Sequence, residues 1–195
     1  MKIDSKLNLV LPIEREDGTK VYVHSMPISM EVFETYHFVI SKTFTKIYNS
    51  GMMLQGPRIA AMTLKEEAEK LGAWDSREGF VGVEKGLVAE ISRLTNVVAM
   101  TSTGWGTIPL YEALQKGIFD EDELSEVKNA ITFFTVAYRM HKKSERATIL
   151  QSACRLWDAQ ILSSGLTEFV ASLPTLTAAE NTTAGPDAIQ SSVPS

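Results

Sequence analysis

The chain has 195 residues, with 24 acidic against 19 basic side chains, a formal charge of −5 and a single cysteine, Cys154. That length fits one compact domain with or without an appendage, able to bury about 70% of its unfolded surface without a disulfide or metal staple. One cysteine excludes an internal disulfide and fits a reducing compartment, and the negative balance argues against electrostatically driven nucleic-acid binding.

The N-terminal apolar run from Leu7 is broken by Asn8 and Pro12, whereas a secretory signal needs a continuous apolar stretch. The most apolar window, residues 130–138, is too short to span about 30 Å of hydrocarbon. A protein without a membrane segment is therefore expected. Leu7, Leu9, Leu11 and Ile13 recur with a period of two, which predicts a strand. Asp17-Gly18 supplies a turn and Val21, Tyr22 and Val23 a return strand. Pro12 lacks a backbone donor and so predicts an open edge there. An isolated hairpin is marginal in water, so this one must pack on the remaining chain or on another molecule.

From Ser29 the apolar period becomes helical. Ser29 caps a helix whose stripe is Phe33, Tyr36, His37, Ile40, Phe44, Ile47 and Tyr48, ending at Asn49-Ser50-Gly51. Gly56-Pro57 opens a second helix that closes at Leu71-Gly72. Leu87, Ile91, Leu94 and Val98 predict a third, ending before Gly104-Trp105-Gly106. A short helix follows from Pro109 to Gly117, with Leu110, Ala113 and Leu114 facing inward. Asp120 with Glu123 forms a capping box for the next helix, which buries Leu124, Val127, Ile131, Phe134 and Tyr138. Ser144 caps a last helix through Ile149, Ala153, Leu156 and Trp157, stopping near Gly165. From Ala171 to Ser195, Ala, Ser, Thr and Pro dominate, without an aromatic or basic residue, which predicts a disordered tail. The expected architecture is mainly α: a β-hairpin over 1–28, packed on a multi-helix, bundle-like domain over 29–170, with a low-complexity tail over 171–195.

Enzyme signatures are missing. No phosphate-binding glycine loop follows a strand, and the glycines from Gly79 to Gly86 read as a connecting loop. His24, His37 and His141 lack metal-ligand spacing, and His37 reads as a partly buried structural imidazole. Cys154 would need His141 brought to it by the fold to act as a nucleophile, and a small buried thiol is the preferred reading. The Glu66-Glu67-Glu69 and Asp120-to-Glu126 clusters suit solvated helix faces, and the Arg139-to-Arg146 patch lacks the aromatic interleaving that stacks bases. No catalytic, cofactor-binding or metal-binding residue is assigned, and the chain is expected not to be an enzyme.

Apolar surplus is the unusual feature. Met26, Met30, Met52, Met53 and Met62 crowd the first third, either as core filler or as a surface that repacks around partners. Leu166, Phe169 and Val170 form a cluster before the tail, either a last core contact or a docking element. The candidate partner-binding residues are Met52, Met53, Leu166, Phe169 and Val170.

The order "LNLVLPIEREDG", "VHSMPISMEVFETYHFVISKTFTKIY", "GPRIAAMTL", "GLVAEISRLTNVV", "GWGTIPLYEALQKGIFDEDE", "ITFFTVAYRMHKK" and "LTEFVASLPTLTAAENTT" resembles a tail assembly chaperone of tailed bacteriophages. The likeness covers most of the chain and rests on overall pattern rather than on a short motif. It implies a non-structural helper in the host cell cytoplasm that escorts the tape measure protein while tail tube subunits polymerise. It also implies a possible longer form, made by ribosomal slippage, that recruits the tail tube protein. Self-association through the hairpin edge, and a minor structural role in the tail tube or its completion, stand as alternatives. Neither nucleic acid nor membrane is an expected partner.

Overall fold

The computed structural model describes residues 2–3, 8–52, 55–101, 104–142, 144–146 and 166–173. Five antiparallel strands lie side by side in sequence order: β1 (Lys2–Ile3), β2 (Leu9–Glu14), β3 (Lys20–Ser25), β4 (Thr95–Thr101) and β5 (Gly104–Pro109). Alternation sorts their side chains. Leu11 opposes Val23, Val23 opposes Val97 and Val97 opposes Ile108, a continuous apolar row on the inner face. Val10, Tyr22, Val98 and Trp105 point to the outer face, where they form a second apolar cluster.

The helices are α1 (Met30–Asn49), α2 (Gly56–Lys70), α3 (Ala89–Arg93, entered through one π turn at Glu84–Val88), α4 (Leu110–Gln115), α5 (Glu121–Arg139) and α6 (Leu166–Ser172). Their predicted starts hold at the atomic level. Val32 N–H donates to Ser29 Oγ at 3.2 Å, and Pro57 lies in the first turn of α2. Glu123 N–H donates to Asp120 Oδ1 at 2.8 Å while Asp120 N–H donates to Glu123 Oε2 at 3.1 Å, a complete capping box. α5 is the central element. Val127 and every residue from Asn129 to Ala137 are buried, because α5 has α1 and α2 on one side and the sheet's inner face on the other.

The mainly α expectation is overturned: this is a mixed α/β fold. The third helix stops at Leu94, and residues 95–109 form a second hairpin that joins β3. Leu94 and Val98 satisfy helical spacing, but Val97 and Val98 are both buried, on opposite faces, as only a two-sided strand allows. Thr95 marks the switch. Its hydroxyl donates to the Ile91 carbonyl at 2.7 Å and sits 2.9 Å from Ser25 Oγ on β3. Gly104-Trp105-Gly106, expected as a helix terminator, is instead strand. The N-terminal hairpin is accordingly one half of a larger sheet. Its edge expectation survives in part, since β1 covers only Leu9 and Val10 and leaves Leu11, Pro12 and Ile13 without an outer strand neighbour among the described residues. The predicted last helix over 147–165 and the tail from residue 174 onward lie outside the described residues.

One interaction fastens the hairpin turn to α5. Arg15 Nε donates to Glu123 Oε1 at 2.7 Å, its Nη2 reaches Glu123 Oε2 at 3.1 Å, and the same Nη2 donates to the Ile118 carbonyl. Glu123 therefore serves both as capping residue and as bidentate acceptor. Glu123→Ala is expected to cost about 1–2 kcal/mol of unfolding free energy, chiefly as cap loss with a smaller contribution from the half-exposed ion pair. Urea titration of the variant against the parent checks this.

α1 and α2 are joined by charge. Glu66 accepts from Lys46, and from Lys70 at 2.6 Å, and these contacts, Lys46 first, hold its carboxyl down from 4.5 to about 2. A depressed carboxylate contributes stability that is fully present above its unfolded value and is lost as pH falls through the folded one. Glu66→Gln is accordingly expected to be less stable than the parent above pH 4.5 and to converge with it near pH 2. The exposed position of Glu66 makes the difference small and salt-sensitive. Unfolding curves across that window in low and high salt test it.

Candidate functional site

Two apolar surfaces emerge from this architecture. The first is the outer face of the sheet. Phe169 and Leu173 are buried there against Val10 and Val98, with Leu166 and Val170 at the margin. The Phe169 ring meets Tyr22 edge-on at 5.0 Å, and Tyr22 in turn lies 5.7 Å from Trp105. α6 thus acts as a lid on the outer face. Of the two readings for Leu166, Phe169 and Val170, the structure favours a core contact, because Phe169 retains only 6% of its exposure.

Met52 sits elsewhere. It closes the α1–α2 turn, donating its N–H to the Ile47 carbonyl at 3.1 Å and accepting from Gln55 N–H at 3.1 Å. Met53 lies outside the described residues. The predicted binding residues are therefore not brought together as one site. The methionine reading fares differently: Met26, Met30 and Met62 are 40%, 55% and 61% exposed, which is surface, not filler.

The second surface was not anticipated. Gly56 packs on Phe133, and Ala61 N–H donates to Asn129 Oδ1 at 2.9 Å, so α2 runs antiparallel to α5 in close contact. α3 and α4 flank that pair and share its core through Ile91, Leu110 and Ala113. Between them opens a cleft of about 520 Å³, floored by Leu64, Ile91, Leu110 and Ile131 and rimmed by Met62, Trp74, Val88, Leu114 and Leu124. That volume lies within the range of about 300–1,000 Å³ typical of binding clefts. Charged residues mark its margin: Lys65, Glu84, Glu121 and Lys128. Lys65 is engaged, lying 5.4 Å from the Trp74 ring centroid and 3.8 Å from Glu69.

Sequence reasoning missed this cleft because its rim comes from four separate elements. Leu114 was expected to face inward with Leu110 and Ala113; those two are buried, but Leu114 is 38% exposed on the rim. Leu124, counted in the buried row of α5, is only half-buried. The available signal was Met62, an apolar side chain opposite the buried face of α2.

A smaller hollow of about 370 Å³ lies between α1 and the end of α5, lined by Phe33, Glu34, His37, Ser41, Arg139 and Met140. Arg139 Nε is buried there without a hydrogen-bond partner among the described residues, and burial, reinforced by Arg146, lowers the guanidinium pKa. His37 is exposed, its Nδ1 2.8 Å from the Glu34 carbonyl, and is not the partly buried imidazole expected. His141 packs edge-on against Phe44 at 5.5 Å, and burial pushes its pKa down. Cys154 lies outside the described residues. Among the described residues no group of three or more His, Cys, Asp or Glu side chains is placed to hold a metal ion, and no helix is long and apolar enough to cross a membrane.

The chain matches no family model, no curated protein and no solved structure.

Proposed function

We propose that this protein is a tail assembly chaperone of a tailed bacteriophage, which binds the tape measure protein in the host cell cytoplasm and keeps it soluble. The observation that carries the reading is the open apolar cleft between α2–α5 and α3–α4, with Met62 and Leu114 exposed at its rim. An aggregation-prone, helix-rich partner needs its apolar stripes covered, and a cleft between helices covers such a stripe by helix-in-groove contact. The work is reversible masking at equilibrium, without chemistry or a nucleotide. A net charge of −5 keeps the complexes soluble. Recruitment of the tail tube protein would fall to an extended form of the chain.

Co-expression with the phage's tape measure protein tests the reading. The tape measure is expected in the soluble fraction and to co-purify with this chain. A tape measure equally insoluble with and without it overturns the proposal.

The uncovered middle of β2 favours a second reading, a minor structural tail protein. Leu11, Pro12 and Ile13 of β2 have no outer strand beside them among the described residues, so strand addition there would build a ring or a self-associated form. Mass spectrometry of purified particles separates the two: stoichiometric presence supports the structural role, and absence supports the chaperone.

A further inference from the structure

Charge on the cleft margin carries more information than its apolar floor. Glu121 and Lys128 both stand on the side of α5 that lines the cleft, seven residues apart, which is two helical turns or about 10 Å. Neither forms an ion pair among the described residues, although seven other lysines and arginines do. The cleft therefore presents an apolar trough with an unpaired negative end, near the start of α5, and an unpaired positive end two turns on. Half-buried Leu124 lies between them.

We propose that this cleft seats a single amphipathic helix of the partner, laid antiparallel to α5, with a carboxylate facing Lys128 and a basic side chain facing Glu121. The inference rests on the chaperone reading above and specifies what kind of tape measure segment is recognised. Three observations select this occupant. The trough is open along α5 and its floor is aliphatic, which suits the leucine-type stripe of a helix. The two margin charges carried by α5 have opposite sign, so a uniformly acidic or uniformly basic segment lying along α5 would meet one repulsive contact. Antiparallel orientation places the partner's carboxylate toward its own helix N-terminus and its basic residue toward its C-terminus, as both helix dipoles favour. α2 already packs on α5 in that antiparallel sense. The recognised pattern is an acidic residue followed seven positions later by a basic one, flanking apolar positions i, i+3, i+4 and i+7.

Three fluorescein-labelled helical peptides with this leucine stripe test the proposal, differing only at the two flanking positions: Glu then Lys, Glu twice, or Lys twice. Binding to the full chain is read by fluorescence anisotropy. The parent is expected to bind the Glu-then-Lys peptide about two- to fivefold more tightly than either of the others, the size of partly exposed charge pairs. Lys128→Glu, a surface change that leaves the floor intact, is expected to shift the preference to the Lys-twice peptide by a similar factor. Leu114→Glu, with folding checked by circular dichroism, is expected to weaken all three by at least about tenfold.

Equal affinity for the three peptides in both proteins overturns the proposal, as does retained binding in a folded Leu114→Glu variant. Refusal of all three also overturns it, pointing to a cleft filled by this chain's own residues 147–165. A concentration-dependent dimer abolished by Leu114→Glu overturns it in favour of a second copy. Loss of peptide binding while the tape measure stays soluble on co-expression removes the cleft and leaves the chaperone reading standing. Peptide discrimination with an insoluble tape measure does the reverse.

Discussion

Phe134→Ala is expected to lower the unfolding free energy by about 3–5 kcal/mol, the cost of removing a ring from a core that cannot collapse around the void. Phe134 is 1% exposed on the inner side of α5, where it contributes to the core shared by the sheet, α1 and α2 and packs against Tyr138 at 5.6 Å. Neighbours cannot easily follow it inward. Ile131 and Val136 are anchored in the same helix, and the facing strands are held by cross-strand ladders on both sides of β3. A single domain has only about 5–15 kcal/mol to lose, so the variant is expected to unfold well before the parent in urea. The transition midpoint should fall while its slope stays unchanged, which is the signature of a cavity in an otherwise intact native state. A midpoint within error of the parent's would mean that α5 is not the centre of this fold.

The second large effect is expected at Gly82. A methyl group built there would fall inside the van der Waals envelope of the Trp74 carbonyl and the Asp75 backbone. Main chain, unlike the end of a flexible side chain, cannot swing aside. The approach is locked from both directions, because Val83 N–H donates to the Ala73 carbonyl at 2.9 Å and Glu84 N–H to the Trp74 carbonyl at 3.2 Å. Gly82 N–H donates to Ser76 Oγ at 3.0 Å as well. Gly82→Ala should therefore force the segment after α2 away from the π turn, at a cost of about 1–3 kcal/mol. For a chain of this size that corresponds to a fall in melting temperature of about 2–12 °C, readable by calorimetry. Trp74 moves with that segment, so the same substitution should also weaken peptide binding in the cleft.

Local signals in the chain are legible in its sequence because their physics is local. Ser29, Pro57, Asp120 and Glu123 satisfy orphan backbone groups within one turn, and no distant residue can change that requirement. The second hairpin is a different case. The apolar spacing of Leu94 and Val98 fits a helix, and only pairing with β3, far away in sequence, decides for a strand. Gly104 and Gly106 looked like terminators for the same reason: glycine weakens a strand in isolation and is tolerated once a neighbouring strand supplies the ladder. The π turn at Glu84–Val88, whose first three residues fall in the expected loop, is helical because Gly86 lets the Tyr36 hydroxyl approach, and that hydroxyl donates to the Val81 carbonyl at 2.8 Å. The candidate site was legible only in its ingredients. Met62, Leu114 and Leu124 are visible as apolar residues in the chain, but their convergence requires α2, α4 and α5 to be placed in space.

The pairing of β3 with β4 also has a consequence for how the protein is made. Ser25 and Thr95 lie opposite each other across a sequence separation of 70 residues. At translation rates of about 5–20 residues per second, β3 leaves the ribosome roughly 4–14 s before its partner strand does. During that interval the first hairpin exposes one complete ladder of unpaired amides and carbonyls, on the edge that will later be the middle of the sheet. Helices α1 and α2 are synthesised in the gap and can shield its inner face early, but not that edge. Nascent chains stalled between residues 30 and 93 are therefore where strand mispairing between neighbouring copies should concentrate, and release of the second hairpin is the event that ends it.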